Sequence, residues 1–422
     1  MAAQNSSFTI RSGLSSRNTH IALTLLVLSV FLNYIDRSNL SIALPYLKDE
    51  LGLSPSRLGI LLSAFFWTYS TFQLVSGWLV DRIHVGWVLA AGFVLWSAAT
   101  GVTGLLHSFT GLLIVRTVLG LGESVAYPSY SKILEQHFSE ARRGFANSLV
   151  AAGAAAGPGI GLFVAGTFME RFGWRPFFIL LGFLSLLWLI PWIIWMPPAK
   201  KKSSDELSSH SQSGILDILL QRSAWGTFAG LFCINYVFYF LITWLPYYLS
   251  RDRNFPTTTM VFVAGTAYLL NSLTATLSGW LSDLCLALGS TPTRVRKTFL
   301  ATGIGGAGML LLLCAFAPNR PAIFLLLLGS AFLGICNSNI WALTQTLAGP
   351  NVVGRWAGLQ NFLGNLSGIA APALTGFLVE RTQHFFSAFA VMAVVALLGA
   401  MSWIFLVGRV EPIVWGELQD RT

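Results

Sequence analysis

Charge is what this chain has least of: only 10% of its 422 residues are Asp, Glu, Lys or Arg, whereas 54% are hydrophobic and the mean hydropathy is +0.66. A soluble globular domain needs far more charge to stay in water, so that class is excluded. Cysteine is also scarce. Cys233, Cys285, Cys314 and Cys336 have no paired metal-type spacing, and none falls in a loop on the outer face, so they read as small apolar residues and not as disulfides or ligands. No two of the six histidines (His20, His84, His107, His137, His210, His384) stand at ligand spacing. A membrane enzyme would need a metal or nucleophile constellation, so the chain is expected to be no enzyme and to carry no cofactor. The first apolar run is expected to be a permanent helix and not a cleavable leader: it is too long, contains Asp36 and Arg37, and has no small-residue cleavage site.

Long apolar segments are abundant. Runs able to span a hydrocarbon layer of about 30 Å extend over Ile21 to Leu44, Leu58 to Val80, Gly86 to Leu106, Gly111 to Leu134, Phe145 to Met169 and Trp174 to Met196. After a hydrophilic interruption come Trp225 to Leu249, Met260 to Asp283, Thr298 to Phe316, Ala322 to Leu347, Trp356 to Val379 and Phe385 to Val407. The expectation is an all-α membrane protein with twelve transmembrane helices in two six-helix bundles. Residues 1–199 form the first bundle with a short tail, 200–222 a linker, and 223–422 the second bundle with its tail. The linker's Lys200-Lys201-Lys202 run and Ser203-Ser204-Asp205-Glu206 stretch read as a solvated cytoplasmic segment that can touch lipid headgroups.

The formal net charge is +9, but the basic residues are spread over the loops instead of forming one patch, which argues against a nucleic-acid partner. Counting loops and span ends together, 16 Lys and Arg lie on the face that bears both tails and 8 on the other, with Arg37 and Arg116 deep inside spans. The positive-inside rule then puts both termini in the cytoplasm. Short outer loops and a brief N-terminal tail favour a bacterial cell (inner) membrane, and the chain is expected to act there as a monomer.

The two halves repeat. Gly77-Trp78-Leu79-Val80-Asp81 closes the second span of one half, and Gly279-Trp280-Leu281-Ser282-Asp283 closes the second span of the other. Met169-Glu170-Arg171 and Val379-Glu380-Arg381 match likewise, each downstream of a kink at Gly157-Pro158 or Ala371-Pro372. Such matched landmarks imply pseudo-symmetric bundles that can rock about a midplane site. The fifth span, rich in glycine at 153, 157, 159 and 161, suits close helix approach, a hinge, or both.

Against this apolar background stand four charges: Asp36 and Arg37 in the first span, Arg116 and Glu123 in the fourth. An ionised group at membrane depth costs about 3 kcal/mol even on lenient insertion scales, so it faces a partner or a watery cavity. Arg116 and Glu123 are seven residues apart and share a helix face, about 10 Å along the axis. Asp36 and Arg37 are adjacent and diverge by about 100°, so only one points straight into a cavity. Pairing Asp36 with Arg116 is the natural arrangement. The alternative is that all four form buried salt bridges that only fix helix packing.

Several segments carry a resemblance. Gly77-Trp78-Leu79-Val80-Asp81-Arg82 and the Gly-Pro kink of the fifth span resemble marks of the major facilitator superfamily. The loop departs from the usual form: Ile83-His84-Val85-Gly86-Trp87 replaces a second basic pair, which implies a weaker cytoplasmic latch. Within the superfamily the chain resembles the anion:cation symporter family of galactonate, hexuronate, glucarate, sialic-acid and vesicular glutamate carriers. The matching segments are Asn33-Tyr34-Ile35-Asp36-Arg37-Ser38-Asn39-Leu40, Phe65-Phe66-Trp67-Thr68-Tyr69, Arg116 to Glu123, Thr243-Trp244-Leu245-Pro246-Tyr247-Tyr248-Leu249 and Asn361 to Ile369.

The resemblance implies proton-coupled symport of an organic anion, most simply a sugar acid, by alternating access. It gives Arg37 the substrate carboxylate and makes Arg116 a partner to the acids. An arginine keeps its charge and offers a planar fork, whereas carboxylates can lose theirs, so Asp36 and Glu123 are the expected proton carriers. Tyr34, Tyr69 and Asn361 are expected to complete the substrate site, with Ser338, Trp341, Tyr236 and Tyr239 closing it from the second half. A drug or metabolite exporter or antiporter is the competing reading, but its cation cavity would need an acidic surplus. A passive anion channel differs in being unable to accumulate solute. In the middle of the fifth span, Ala151 to Ala156 offer no polar amide, where relatives handling polyhydroxylated acids place one. The substrate is therefore smaller or less hydroxylated, or its hydroxyls find partners elsewhere.

Overall fold

A computed structural model describes residues 16–138, 140–196 and 215–415. The N-terminal half holds α1 (Asn18–Leu51), α2 (Pro55–Arg82), α3 (Val85–Thr103), α4 (Phe109–His137), α5 (Ala146–Phe172) and α6 (Trp174–Trp195). The C-terminal half holds α7 (Arg222–Asp252), α8 (Thr257–Ala287), α9 (Pro292–Phe316), α10 (Asn319–Gly349), α11 (Val352–Thr382) and α12 (Phe386–Leu406). Of the linker expected over 200–222, the basic run lies outside the described residues; a single helical turn, Ile215–Leu219, precedes α7.

Eleven of the twelve helices are long and apolar enough to cross a membrane. The exception is α2, which at 28 residues has the length but carries Ser63, Thr68, Tyr69, Ser70, Thr71, Gln73 and Ser76. Two of these polar groups tie α2 to α4. The Thr68 hydroxyl donates to the Thr117 carbonyl of α4 at 2.6 Å, and Ser76 bonds Ser124 at 2.9 Å. By contrast α6 and α12 turn Leu184, Leu187, Ile190, Ile194, Leu397 and Phe405 outward, where only lipid can cover them.

Local chemistry sets the helix ends. Ser54 caps α2 ahead of Pro55 by accepting the Arg57 N–H, and Thr291 caps α9 ahead of Pro292 in the same way. Gly349, with φ of 68°, breaks the chain between α10 and α11, a left-handed conformation that costs glycine nothing. In α5 the glycine stripe packs on α1: a Cβ at Gly157 would stand 2.7 Å from the Tyr34 Cβ and 2.8 Å from the Phe31 carbonyl oxygen. Close approach, one of the readings of that stripe, is seen at Gly157, and it seats Tyr34 against α5.

The two bundles meet chiefly at the end remote from the termini, α2 against α11, α5 against α8 and α1 against α7. There Glu380, at the end of α11, accepts the Ser56 N–H at 2.8 Å, placing a carboxylate on the positive N-terminus of α2. Arg251 reaches from α7 to the Pro45 carbonyl at 3.1 Å and pairs with Asp49 of α1. Backbones approach closely at Gly59, where a Cβ would lie 2.5 Å from the Pro372 carbonyl oxygen. At the opposite end, the α4–α5 and α10–α11 hairpins share no comparable packing among the described residues. Among the described residues the bundles are closed at one end and parted at the other.

Gly59→Val is expected to wedge α2 from α11 and open the closed end. A single cysteine at Ile242, in a background with the four native cysteines replaced by alanine, should then react several-fold faster with an impermeant maleimide added on that face. Unchanged labelling would show that the contact is no gate.

Candidate functional site

The buried charges assemble where the bundles meet. Arg37 Nε donates to Glu123 Oε2 at 2.7 Å, linking α1 to α4 in the interior. The expected Asp36 to Arg116 pair is not formed: no ion-pair contact joins them among the described residues. The reason lies in reach and direction. The long Arg37 fork crosses to Glu123, whereas the short Asp36 carboxylate turns to another flank of α1, toward Thr100 of α3. Arg116 and Glu123 still act on Asp36 as near charges. The divergence of adjacent residues on α1 thus sends Arg37 to the cavity and Asp36 into the N-terminal bundle.

Aromatic rings hold the guanidinium groups. The Arg37 guanidinium lies 4.3 Å from the Tyr69 ring centroid, 4.9 Å from that of Tyr34 and 5.3 Å from that of Phe65. Arg116 stands 5.4 Å from the centroid of the same Phe65 ring, so one ring lies near both cations. Not every polar atom is used up: Arg37 Nη2, Arg116 Nε, Glu123 Oε1 and Asp36 Oδ1 are buried with no protein partner. Buried charge-bearing atoms left in this condition are costly, and they are what an anion or a proton would satisfy.

A cavity of about 480 Å³ of empty space opens beside them, lined by Tyr34, Arg37, Leu62, Phe65, Phe66 and Arg116 on one wall and Phe238, Tyr239, Ile242 and Thr243 on the other. Of the residues singled out in the sequence, Tyr34, Arg37, Arg116 and Tyr239 line it. Tyr69 sits behind, stacked on Phe65 at 5.1 Å. The Tyr239 hydroxyl donates to Asn365 Oδ1 at 2.5 Å, and the Tyr34 hydroxyl bonds that of Tyr127 at 3.1 Å.

Asn361 spans the bundles, its amide donating to Gln73 Oε1 at 3.2 Å, in the halves of α11 and α2 nearer the termini. Three residues stand apart from the cavity lining. Tyr236 is buried against Phe232. Ser338 donates to the Ala275 carbonyl at 2.7 Å in the seam between α8 and α10, and Trp341 is 39% exposed. Sequence reasoning missed Leu62, Phe238 and Ile242, since apolar residues on apolar helices carry no signal. Gln73 is the polar exception that could have been found.

Two six-helix bundles around a central cavity with buried charges have the architecture of a membrane transporter. A family model described as Major Facilitator Superfamily matches residues 26–372, and the chain belongs to that superfamily. It is 27% identical to the D-galactonate transporter of Escherichia coli, covering 94% of this chain and 97% of that one. It is 28% identical to the hexuronate transporter of Bacillus subtilis, covering 92% and 94%. In fold it resembles the crystal structure of a bacterial homologue of the human lysosomal transporter Spinster in an inward-facing, occupied conformation. That likeness has a TM-score of 0.81 at 14% identity, over 93% of this chain and 97% of the other.

Glu123→Gln leaves the Arg37 charge buried and unpaired, which costs about 3 kcal/mol. The variant should therefore unfold at a temperature several degrees lower in detergent, with partial recovery on adding a carboxylate anion that takes the vacated place. An unchanged melting temperature would show that the pair carries no such load.

Proposed function

We propose that this chain is a proton-coupled symporter that moves an organic anion, a sugar acid, across a cell membrane by alternating access. The observation that carries the reading is the Arg37–Glu123 pair at the cavity wall beside Arg116. With Asp36 and Glu123 ionised, the four buried groups sum to zero. Protonating either acid leaves one guanidinium charge uncompensated, and an incoming carboxylate neutralises it. Protons therefore favour the anion, and by linkage the anion favours protons. Protonation of Glu123 also frees the Arg37 fork for the substrate, since one Nε cannot serve two acids at 2.7 Å. The relatives named for galactonate and hexuronate support a sugar acid as the solute.

Rings beside the fork suit such a solute. Tyr34, Phe65, Phe66 and Tyr239 offer apolar faces to a sugar chain and, from the tyrosines, hydroxyls to its polar edge. Asn361 bonds Gln73 across the two bundles on the terminal side of the cavity, a bridge that a substrate hydroxyl would replace. With both termini in the cytoplasm, the closed end faces outward and the cavity opens inward, ready to release its load. The transporter works as a monomer, each chain containing both walls of the site in one bilayer.

Labelled galactonate, glucuronate, glucarate and neutral galactose should be offered to proteoliposomes with and without an inward proton gradient. One acid is expected to accumulate only with the gradient, faster as the outer pH falls. Glu123→Gln should abolish accumulation while retaining substrate exchange. Movement of a cation or a neutral solute with no acid would end the anion-site reading and leave the arginines as packing salt bridges.

A further inference from the structure

Three polar contacts fix the register of α1 against α4. Ser29 bonds Tyr130 at 2.8 Å, the Tyr34 hydroxyl bonds that of Tyr127 at 3.1 Å, and Arg37 donates to Glu123 at 2.7 Å. Numbers that rise along α1 fall along α4, so the two helices run antiparallel. Asn33 stands between the outer two contacts, four residues and about 6 Å along the axis from both Ser29 and Arg37. Steps of four keep all three side chains on one face of α1, the face that meets α4. The Asn33 amide is accordingly turned toward the Glu123 carboxyl.

Asn33 is not placed for a solute. It is 0% exposed and stands outside the cavity lining, to which α1 contributes Tyr34 and Arg37. Yet its amide oxygen and nitrogen are both buried with no hydrogen-bond partner, and so is Oε1 of the equally buried Glu123. A donor and an acceptor held in this condition are costly unless another state of the site uses them. The nearby Tyr130 hydroxyl is already committed to Ser29.

The protonated state of Glu123 is the one that uses them. While Glu123 is ionised, Arg37 Nε holds its Oε2 and the amide is left unbonded. Once Glu123 carries a proton and Arg37 turns to a substrate carboxylate, the carboxyl has an O–H to place in an interior closed to solvent. Asn33 offers both halves of the answer: Oδ1 accepts the O–H, and Nδ2 donates to the other carboxyl oxygen. The amide brings no charge, so the balance of two acids and two guanidinium groups is untouched. The ionisable groups acting on Glu123 are Arg37 and Asp36 of α1, Arg116 and Tyr130 of α4, and Tyr69 of α2. All of them stay in place when only the amide is removed.

On the proton-coupled reading above, we infer that Asn33 is a positioning residue that takes over the Glu123 carboxyl when Arg37 releases it, holding the coupling proton away from the substrate in a two-bond ring. The proton stays on Glu123 throughout; only hydrogen bonds are exchanged.

The test uses the full-length protein in proteoliposomes and whichever of labelled galactonate or glucuronate the wild type takes up. Asn33→Leu, which keeps the side-chain size, and Asn33→Ala both remove the amide. In each, the outer pH of half-maximal uptake should fall by about one unit, because the protonated carboxyl loses its partners while the ion keeps Arg37. Uptake that returns as the pH is lowered further reports a folded carrier, and two variants keep the test readable if one is lost. Infrared difference spectra recorded on acidification give a second readout. The carboxyl C=O band that is missing from Glu123→Gln should move to higher wavenumber in both Asn33 variants, the sign of a lost hydrogen bond. A half-maximal pH that stays or rises, or a carboxyl band that does not move, overturns the role of Asn33 and leaves proton coupling intact. A wild type whose uptake ignores pH overturns the coupling itself, and the role of the amide with it.

Discussion

A guanidinium and a carboxylate held 2.7 Å apart inside a membrane bundle are the constraint on which the rest of this structure depends. Neither charge could stay at that depth alone, and together they bind α1 to α4 only while both are ionised. Everything around them serves the same end. Rings of Tyr34, Phe65 and Tyr69 cover the Arg37 cation, and the Phe65 ring also stands beside Arg116. The result is a site that is neutral in sum yet holds donors and acceptors without protein partners, so that a proton or an anion changes its balance.

The packing of the bundles gives that balance somewhere to act. Contacts at the closed end are close backbone approaches and polar bonds across the interface, such as Gly59 on Pro372 and Glu380 on the α2 N-terminus, and not a broad ion-pair network. Contacts of this kind separate without stranding charge in lipid. Inside each bundle the bonding is of another sort: Trp188 and Trp192 donate from α6 to the carbonyls of Leu25 and Gly86, and Arg175 ties Glu50 of α1 to α6. Rigid halves with a separable seam are what rocking about a central cavity requires.

Much of this could be read from the chain. Twelve spans, their division into halves and the matched Gly-Trp-Leu and Glu-Arg landmarks follow from periodic apolar runs, because lipid demands them. The four buried charges were equally visible, being expensive wherever they occur. Their partners were not. Asp36 and Arg116 make a natural pair on paper, yet the pair that forms is Arg37 with Glu123, because side-chain length and the facing of α1 toward α3 decide the match. Ser338 and Tyr236 looked like site residues by type, but Ser338 is used in the seam of α8 with α10 and Tyr236 packs on Phe232.

Composition and spacing by themselves determined that the chain spans a membrane in helices, that it is doubled, and that it carries charge at a depth where charge must have a use. Those properties depend on the solvent each segment meets, and solvent preference is written residue by residue. Which charges touch, which aromatic rings cover them and which end is closed were decided only by the tertiary structure. Each of these depends on the rotation and tilt of helices against one another. Those angles are set by contacts such as Gly157 on Tyr34 and Phe31, whose members lie more than a hundred residues apart in the chain.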